Sequence, residues 1–217
     1  QDGLLGLAFD AASGNMIVTE DENVFSVSPV DGTTTNLFAL PAGFSNDVGL
    51  HVTTAEIPSL NGTTVPEGTL LVFDGRANPE TVFAVDLAGD GTPLAQVELA
   101  GMSGMTGGYY DAANDRLVVS DEFDERIRFF DPVDGTEQGS IPAPFDLRRS
   151  DVVPDPDPAE TGIWVVSDRV TRAALVDPAD GTILREEELR LTQLDRFKAS
   201  GGAFDNGGNL LISTIDG

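Results

Sequence analysis

Residues 108–135 decide the fold: Gly108-Tyr109-Tyr110-Asp111, a polar turn, Arg116-Leu117-Val118-Val119-Ser120-Asp121, a second turn, Arg126-Ile127-Arg128-Phe129-Phe130-Asp131-Pro132, then Asp134-Gly135. The apolar runs are short, rich in Val, Ile and aromatic residues, and bounded by Gly, Asp, Asn and Pro. That is strand chemistry, not helix chemistry. Asp-Gly closes the unit with a turn in which glycine supplies positive φ.

Outward from there the unit recurs. An earlier copy runs Gly6-Leu7-Ala8-Phe9-Asp10, Met16 to Asp21, Val24 to Val27 and Asp31-Gly32. A later one has Gly162 to Asp168, Ala173 to Pro178 and Asp180-Gly181, and the last has Gly202 to Asp205 and Asn209 to Thr214. A degenerate copy opens at Val48-Gly49-Leu50-His51-Val52, continues through Thr69–Asp74 and Val82–Asp86, and turns at Asp90-Gly91. The Asp-Gly turns are spaced 59, 44 and 46 residues apart, and the long first step reads as a loop inserted over Glu56–Gly68. A weaker fourth strand follows each turn: Thr33–Leu40, Thr92–Leu99, Gln138–Pro142 and Thr182–Glu188. Leu184–Phe197 reads as an outer strand with a long connection, and Asp151–Thr161 as an inner strand leading into a proline-rich loop.

Four strands every 40–50 residues is the signature of a β-propeller. The expected fold is therefore all-β, with four-stranded antiparallel blades, about four of them full and a fifth partial. The repeats fall at 4–42, 46–100, 105–145, 150–190 and 200–217, in one propeller domain. The last copy holds only two strands, and three arrangements follow: a longer polypeptide supplies the rest, a second chain supplies it, or the ring closes on a two-stranded blade. The first is preferred.

Composition narrows the function classes. Twelve bases against 37 acids give a net charge of −25, which argues against nucleic acid or an anionic membrane as partner. No apolar run reaches the ~20 residues of a membrane helix. Without Cys there is no disulfide, thiol catalysis or Cys-based zinc site, and a single His excludes a two-His metal site. No Gly-x-Ser-x-Gly elbow or glycine-rich nucleotide fingerprint occurs. An acidic, Lys-poor surface suits high salt or a calcium-bathed secreted setting, so the expected location is extracellular or periplasmic.

Val119–Gly135 resembles the NHL-type repeat, with Asp121, Arg126, Ile127, Phe130, Asp131, Pro132 and Gly135 on its pattern; Asp168, Arg172, Asp177, Pro178 and Gly181 repeat it. In that likeness Arg126 pairs with Asp121 or Asp124. The gluconolactonase and senescence-marker propellers look similar. That resemblance implies a divalent metal in the central channel, held by acidic and Asn residues at the starts of inner strands. Ser45-Asn46-Asp47-Val48-Gly49 is the nearest counterpart, while Leu5-Gly6-Leu7 stands where the family has a Glu-Gly-Pro-like strand. Asn46, Asp47 and His51 are thus the candidate metal ligands, with calcium or another divalent cation as cofactor.

Other groups have plainer readings beside functional ones. Asp86–Gly91 partly matches an EF-hand loop but fits a hairpin turn better. Asp155-Pro156-Asp157-Pro158-Ala159-Glu160 gathers three carboxylates and reads as a solvated loop. Met102, Met105, Tyr109 and Tyr110, with Gly104, Gly107 and Gly108, form either a ligand platform or close packing between blades. Trp164 belongs to a blade core. The leading functional expectation is a non-catalytic secreted or surface binding module for a protein, small-molecule or carbohydrate ligand. The alternative is a metal-dependent, lactonase-type hydrolase working in the channel.

Overall fold

The structure is a computed structural model that describes residues 6–20, 22–41, 48–75, 77–157, 161–167, 169–189 and 199–214. Its described residues form strands, turns and loops without a helix. The first blade pairs β1 (Leu7–Asp10), β2 (Asn15–Glu20), β3 (Asn23–Val27) and β4 (Thr34–Ala39) in that order. The second begins with β5 (Val48–Val52). A separate hairpin of β6 (Ile57–Leu60) and β7 (Thr63–Val65) intervenes before β8 (Leu70–Asp74), β9 (Thr81–Val85) and β10 (Pro93–Glu98) complete it. The third has β11 (Met105–Asp111), β12 (Arg116–Asp121), β13 (Arg126–Phe130) and β14 (Glu137–Pro142). The fourth has β15 (Ser150–Pro154), β16 (Ile163–Ser167), β17 (Arg172–Val176) and β18 (Ile183–Glu188). A two-stranded sheet of β19 (Ala199–Phe204) and β20 (Leu210–Thr214) takes the fifth place. All pairings are antiparallel.

The Asp-Gly turns are built alike. Gly32, Gly91, Gly135 and Gly181 all have positive φ. The Asp before each accepts the N–H of the Thr after it, as in Asp134 with Thr136 at 3.0 Å and Asp180 with Thr182 at 2.8 Å. These bonds, preceded at Asp134 by the stronger pull of the Thr136 hydroxyl, hold the carboxyls of Asp31, Asp90, Asp134 and Asp180 below the usual carboxylate range.

The core is divided by blade interface, because one twisted sheet cannot shelter its own apolar face. Ala8, Ile17, Leu50 and Val72 fill the first interface, and Phe73, Val82, Leu117 and Phe130 the second. Val118, Ile127, Val152 and Val165 fill the third. Each fully buried Leu, Ile, Val or Phe contributes roughly 1.5–3 kcal/mol. Val166, Trp164 and Leu175 pack on Phe204, Leu210 and Ile212 of the fifth sheet, whose other face meets Leu7 and Val18. The first strands thus form a closed circle, β1–β5–β11–β15–β19, with the two-stranded sheet at the fifth position. That interface is thinner: Phe9, Met16, Phe25 and Val27 beside it stay partly exposed.

Two expectations change. Glu56–Gly68 holds the β6–β7 hairpin and not a plain loop, because Ile57, Leu60 and Val65 are wholly buried against the interface of blades 2 and 3. Arg126 binds Ser140, donating to its Oγ at 2.9 Å and its carbonyl at 3.2 Å. Arg128 is the residue that pairs with Asp121, at 2.9 Å, and with Asp124 and Glu137. Asp121 lies opposite Arg126 in the ladder, so the ion pair runs along the diagonal, where a long side chain reaches.

Candidate functional site

Near the axis the inner strands approach backbone to backbone. A Cβ on Gly49 would sit 2.4 Å from the Cα of Gly107, and one on Gly107 would sit 2.1 Å from Asp151 Oδ1. The glycines of this segment serve packing between blades. Asp151, buried on β15, accepts the N–H of Val152 at 2.9 Å and of Gly202 at 3.0 Å, and also bonds the Gly108 amide. Burial pushes its carboxyl well up, and these three amides pull the other way. Beside it, Thr106 Oγ1 lies 2.9 Å from Ser120 Oγ and 3.0 Å from Ser150 Oγ.

Towards the carboxyl ends of the inner strands the channel opens into a cavity of about 350 Å³. Its walls include Phe9, Leu50, Val153 and Phe204, and its polar lining includes His51 and Asp155. Strand alternation places Val48, Leu50 and Val52 in the first interface and His51 on the opposite side of β5. The imidazole lies tilted against Tyr109, ring centroids 5.9 Å apart. Its Nε2 is shut off from solvent and has no hydrogen-bond partner. Burial lowers its pKa to about 4, so the ring is neutral near pH 7.

Asp155 follows β15 at the start of the proline-rich loop. Its Oδ1 accepts the Asp157 N–H at 2.9 Å, which fixes the side chain, while Oδ2 is buried and unpartnered. Both residues line the cavity, while these two atoms are closed off from solvent and do not face its open space, although buried polar groups are ordinarily paired. The Asn206 amide donates to the Ala11 carbonyl at 3.3 Å, closing the seam between the fifth and first blades at the mouth.

Charge is segregated around this cavity. The hairpins that follow the inner strands carry Asp10, Asp111, Asp115, Asp155, Asp157 and Asp205. The one base among their described residues, Arg116, is tied to Asp111 at 2.9 Å and stacked 4.0 Å from the centroid of Phe129. Arg126, Arg148, Arg149, Arg169 and Arg172 sit instead on turns and strand starts at the other ends of the inner ladders.

Of the candidate metal ligands, Asn46 and Asp47 lie outside the described residues, and His51 lines the cavity. Among the described residues no group of three or more His, Asp or Glu side chains gathers to hold a metal ion. Asp155 had read as part of a solvated loop. Nothing local distinguishes its buried oxygen from the exposed carboxylates around it; only ring closure puts Asp155 and His51 on the walls of one cavity.

A second carboxyl departs from the ordinary. Glu80, buried in the turn between β8 and β9, accepts the Met105 N–H at 3.0 Å and so ties blade 2 to the start of β11. Burial, with Asp121 and Asp74 adding repulsion, pushes its pKa up to about 7 against the pull of the Met105 and Gly104 amides. It lines a groove of about 490 Å³ with Asn78, Glu98, Met102 and Asp134.

The fold class is a β-propeller, and comparison with solved structures agrees. A protein of unknown function from Bacteroides caccae aligns over 99% of this chain and 82% of its own, with a TM-score of 0.55 and 14% identity. A chain of a nidogen/laminin complex aligns over 85% of this one and 80% of its own, with a TM-score of 0.51 and 15% identity. At such identities the likeness shows the fold alone. The chain matches no protein-family model and no curated protein.

Proposed function

We propose that this chain is a non-catalytic binding module that takes a small ligand into the axial cavity. The observation that carries the reading is the partly apolar cavity of about 350 Å³ at the carboxyl ends of the inner strands, with His51 and Asp155 among its lining residues. A concave site of this size with few convergent polar groups is the usual form of a ligand pocket. The NHL-type character of the third blade and an extracellular or periplasmic setting belong to the same proposal. The net charge of −25 fits surroundings rich in salt or divalent cations.

A protein partner on the rim is the second partner class. Phe123, 70% exposed in the turn between β12 and β13, is an apolar anchor for it, and one neighbour of the fold was solved as a nidogen/laminin complex. The lactonase-type alternative needs a metal held through Asn46 and Asp47, whereas binding needs only His51, Asp155 and the cavity.

Thermal-shift screening of the full chain against a broad small-molecule panel tests the reading. Ligands should raise the melting temperature, and His51→Leu and Asp155→Asn should each abolish the rise while the folded spectrum is retained. Hits that survive both substitutions would place binding elsewhere.

A further inference from the structure

We infer that Asn61, at the tip of the β6–β7 hairpin, is the acceptor of an N-linked glycan. This rests on the extracellular setting proposed above, reached through a compartment that holds an oligosaccharyltransferase. Of the nine Asn in the chain, Asn61 alone has Ser or Thr two residues on, in Asn61-Gly62-Thr63. Asn-x-Ser/Thr, with x other than Pro, is the acceptor frame of that transfer, and it is used on surface segments.

The hairpin presents this frame to solvent. Ile57, Leu60 and Val65 are wholly buried against the interface of blades 2 and 3 and fix its base. Residues 61–64 are exposed, and a Cβ built on Gly62 finds no atom within 4 Å, so the tip has room for a bulky substituent. Turn geometry accounts for Asn61 and Gly62, whose φ values of 48° and 84° suit a two-residue hairpin loop. It makes no demand for a hydroxyl at position 63. Nor does the turn engage the acceptor groups. The Gly62 N–H donates to Ser59 Oγ at 3.1 Å, and the Asn61 N–H to the Pro132 carbonyl at 3.0 Å. Among the described residues the Asn61 carboxamide and the Thr63 hydroxyl have no partner, whereas the neighbouring Thr64 hydroxyl donates to the Pro58 carbonyl at 3.1 Å. Elsewhere in the chain the side chains of Asp10, Asp31, Asp86 and Asp131 cap their own turns.

The transfer balances without a redox partner. Asn61 Nδ2 attacks the anomeric carbon of an oligosaccharide carried on a lipid pyrophosphate. The bond from that carbon to the pyrophosphate oxygen breaks, a C–N bond forms, and the amide gives one proton to a base. The lipid pyrophosphate is the leaving group. The attached sugar would stand beside Val133, which is 48% exposed in the turn whose Pro132 carbonyl accepts the Asn61 N–H.

The full chain, led by a cleavable signal peptide and secreted from a eukaryotic host, tests the site. Intact mass should show one glycan on most chains, removed by peptide N-glycosidase. Asn61→Gln and Thr63→Ala should each reduce the glycosylated fraction to none, and Thr63→Ser should keep it. A secreted chain that is never modified, or a glycan that survives both substitutions, overturns the inference. Because the signal is supplied, that failure leaves the native setting untouched. A bare chain from the natural source beside a glycosylated secreted one overturns the setting instead, while the acceptor site stands.

Discussion

The carboxylate of Asp151 reaches across the seam between the fourth and fifth blades and accepts the Gly202 N–H at 3.0 Å. The same side chain bonds Val152 in its own strand and Gly108 in the third blade, so one carboxylate joins three neighbouring inner strands. Asp151→Ala would leave three buried amides without an acceptor, at about 1–3 kcal/mol for each group. We expect a loss of about 3–5 kcal/mol and a melting temperature lower by roughly 10 °C. Asp151→Asn should fall between the variant and the parent, since its NH2 faces a donor. Urea denaturation measures both. An alanine variant as stable as the parent would show that the circle closes without this carboxylate.

Glu80 gives a pH dependence with a defined sign. Its carboxyl titrates near 7 in the folded chain against 4.5 for the ordinary group, so between these values the folded state holds the proton more tightly. Its contribution is full below about pH 4.5, declines as pH rises through 7, and is flat above. Glu80→Gln keeps an acceptor for the Met105 amide and removes the titration. Above pH 7 the variant should therefore be more stable than the parent by up to about 3 kcal/mol, the equivalent of the shift. Denaturation curves at intervals from pH 4.5 to 8 check it; a constant offset between the two proteins would mean that Glu80 titrates normally.

His51 works in the opposite direction. Its folded pKa near 4 lies below the ordinary 6.5, so the neutral ring favours folding above pH 6.5 and that benefit is lost as pH falls towards 4. His51→Leu should therefore be less sensitive to acid than the parent across this window. NMR titration of the single imidazole reads the same value directly, and a midpoint near 6.5 would place the ring in solvent.

How far the sequence is legible follows from how local each cause is. Asp134-Gly135-Thr136 announces its turn because carboxylate, positive φ and capped amide all lie within three residues. Val118 and Val119 announce a blade core by strand alternation. The β6–β7 hairpin is hidden because Ile57, Leu60 and Val65 are spread through a polar stretch and become core only against blades 2 and 3. Arg126 and Arg128 share a face of β13, and only the packed ladder shows which of them Asp121 takes. His51 and Asp155 come from different blades and line one cavity through closure of the ring, an event without a local signature.

The charge predicts a salt response. Carboxylates on the hairpins repel one another, and the surface holds few bases to offset them. Raising NaCl from 20 mM to 1 M shortens the Debye length from about 20 Å to about 3 Å, which removes most of this repulsion. The melting temperature should rise by several degrees, whereas sorbitol at equal osmolality, which does not screen, should reproduce little of that rise. A flat response to NaCl would show that the acids are spaced widely enough not to matter.

The last prediction concerns the hub. Gly49→Ala would bring Cβ to 2.4 Å from the Gly107 Cα and 3.1 Å from the Thr106 carbonyl oxygen, both backbone atoms that cannot rotate away. Gly202→Ala instead meets Val166 Cγ2 at 3.3 Å, the end of a side chain that can give by a few tenths of an ångström. The first substitution should cost on the order of 3 kcal/mol or more, because relief requires two inner strands to part, and the second within about 1 kcal/mol. Since β5 also carries His51, parting it from β11 should weaken ligand binding, while Gly202→Ala should leave the rank order of ligands unchanged. Equal stability of the two variants would mean that the inner strands are not held as closely as their glycines imply.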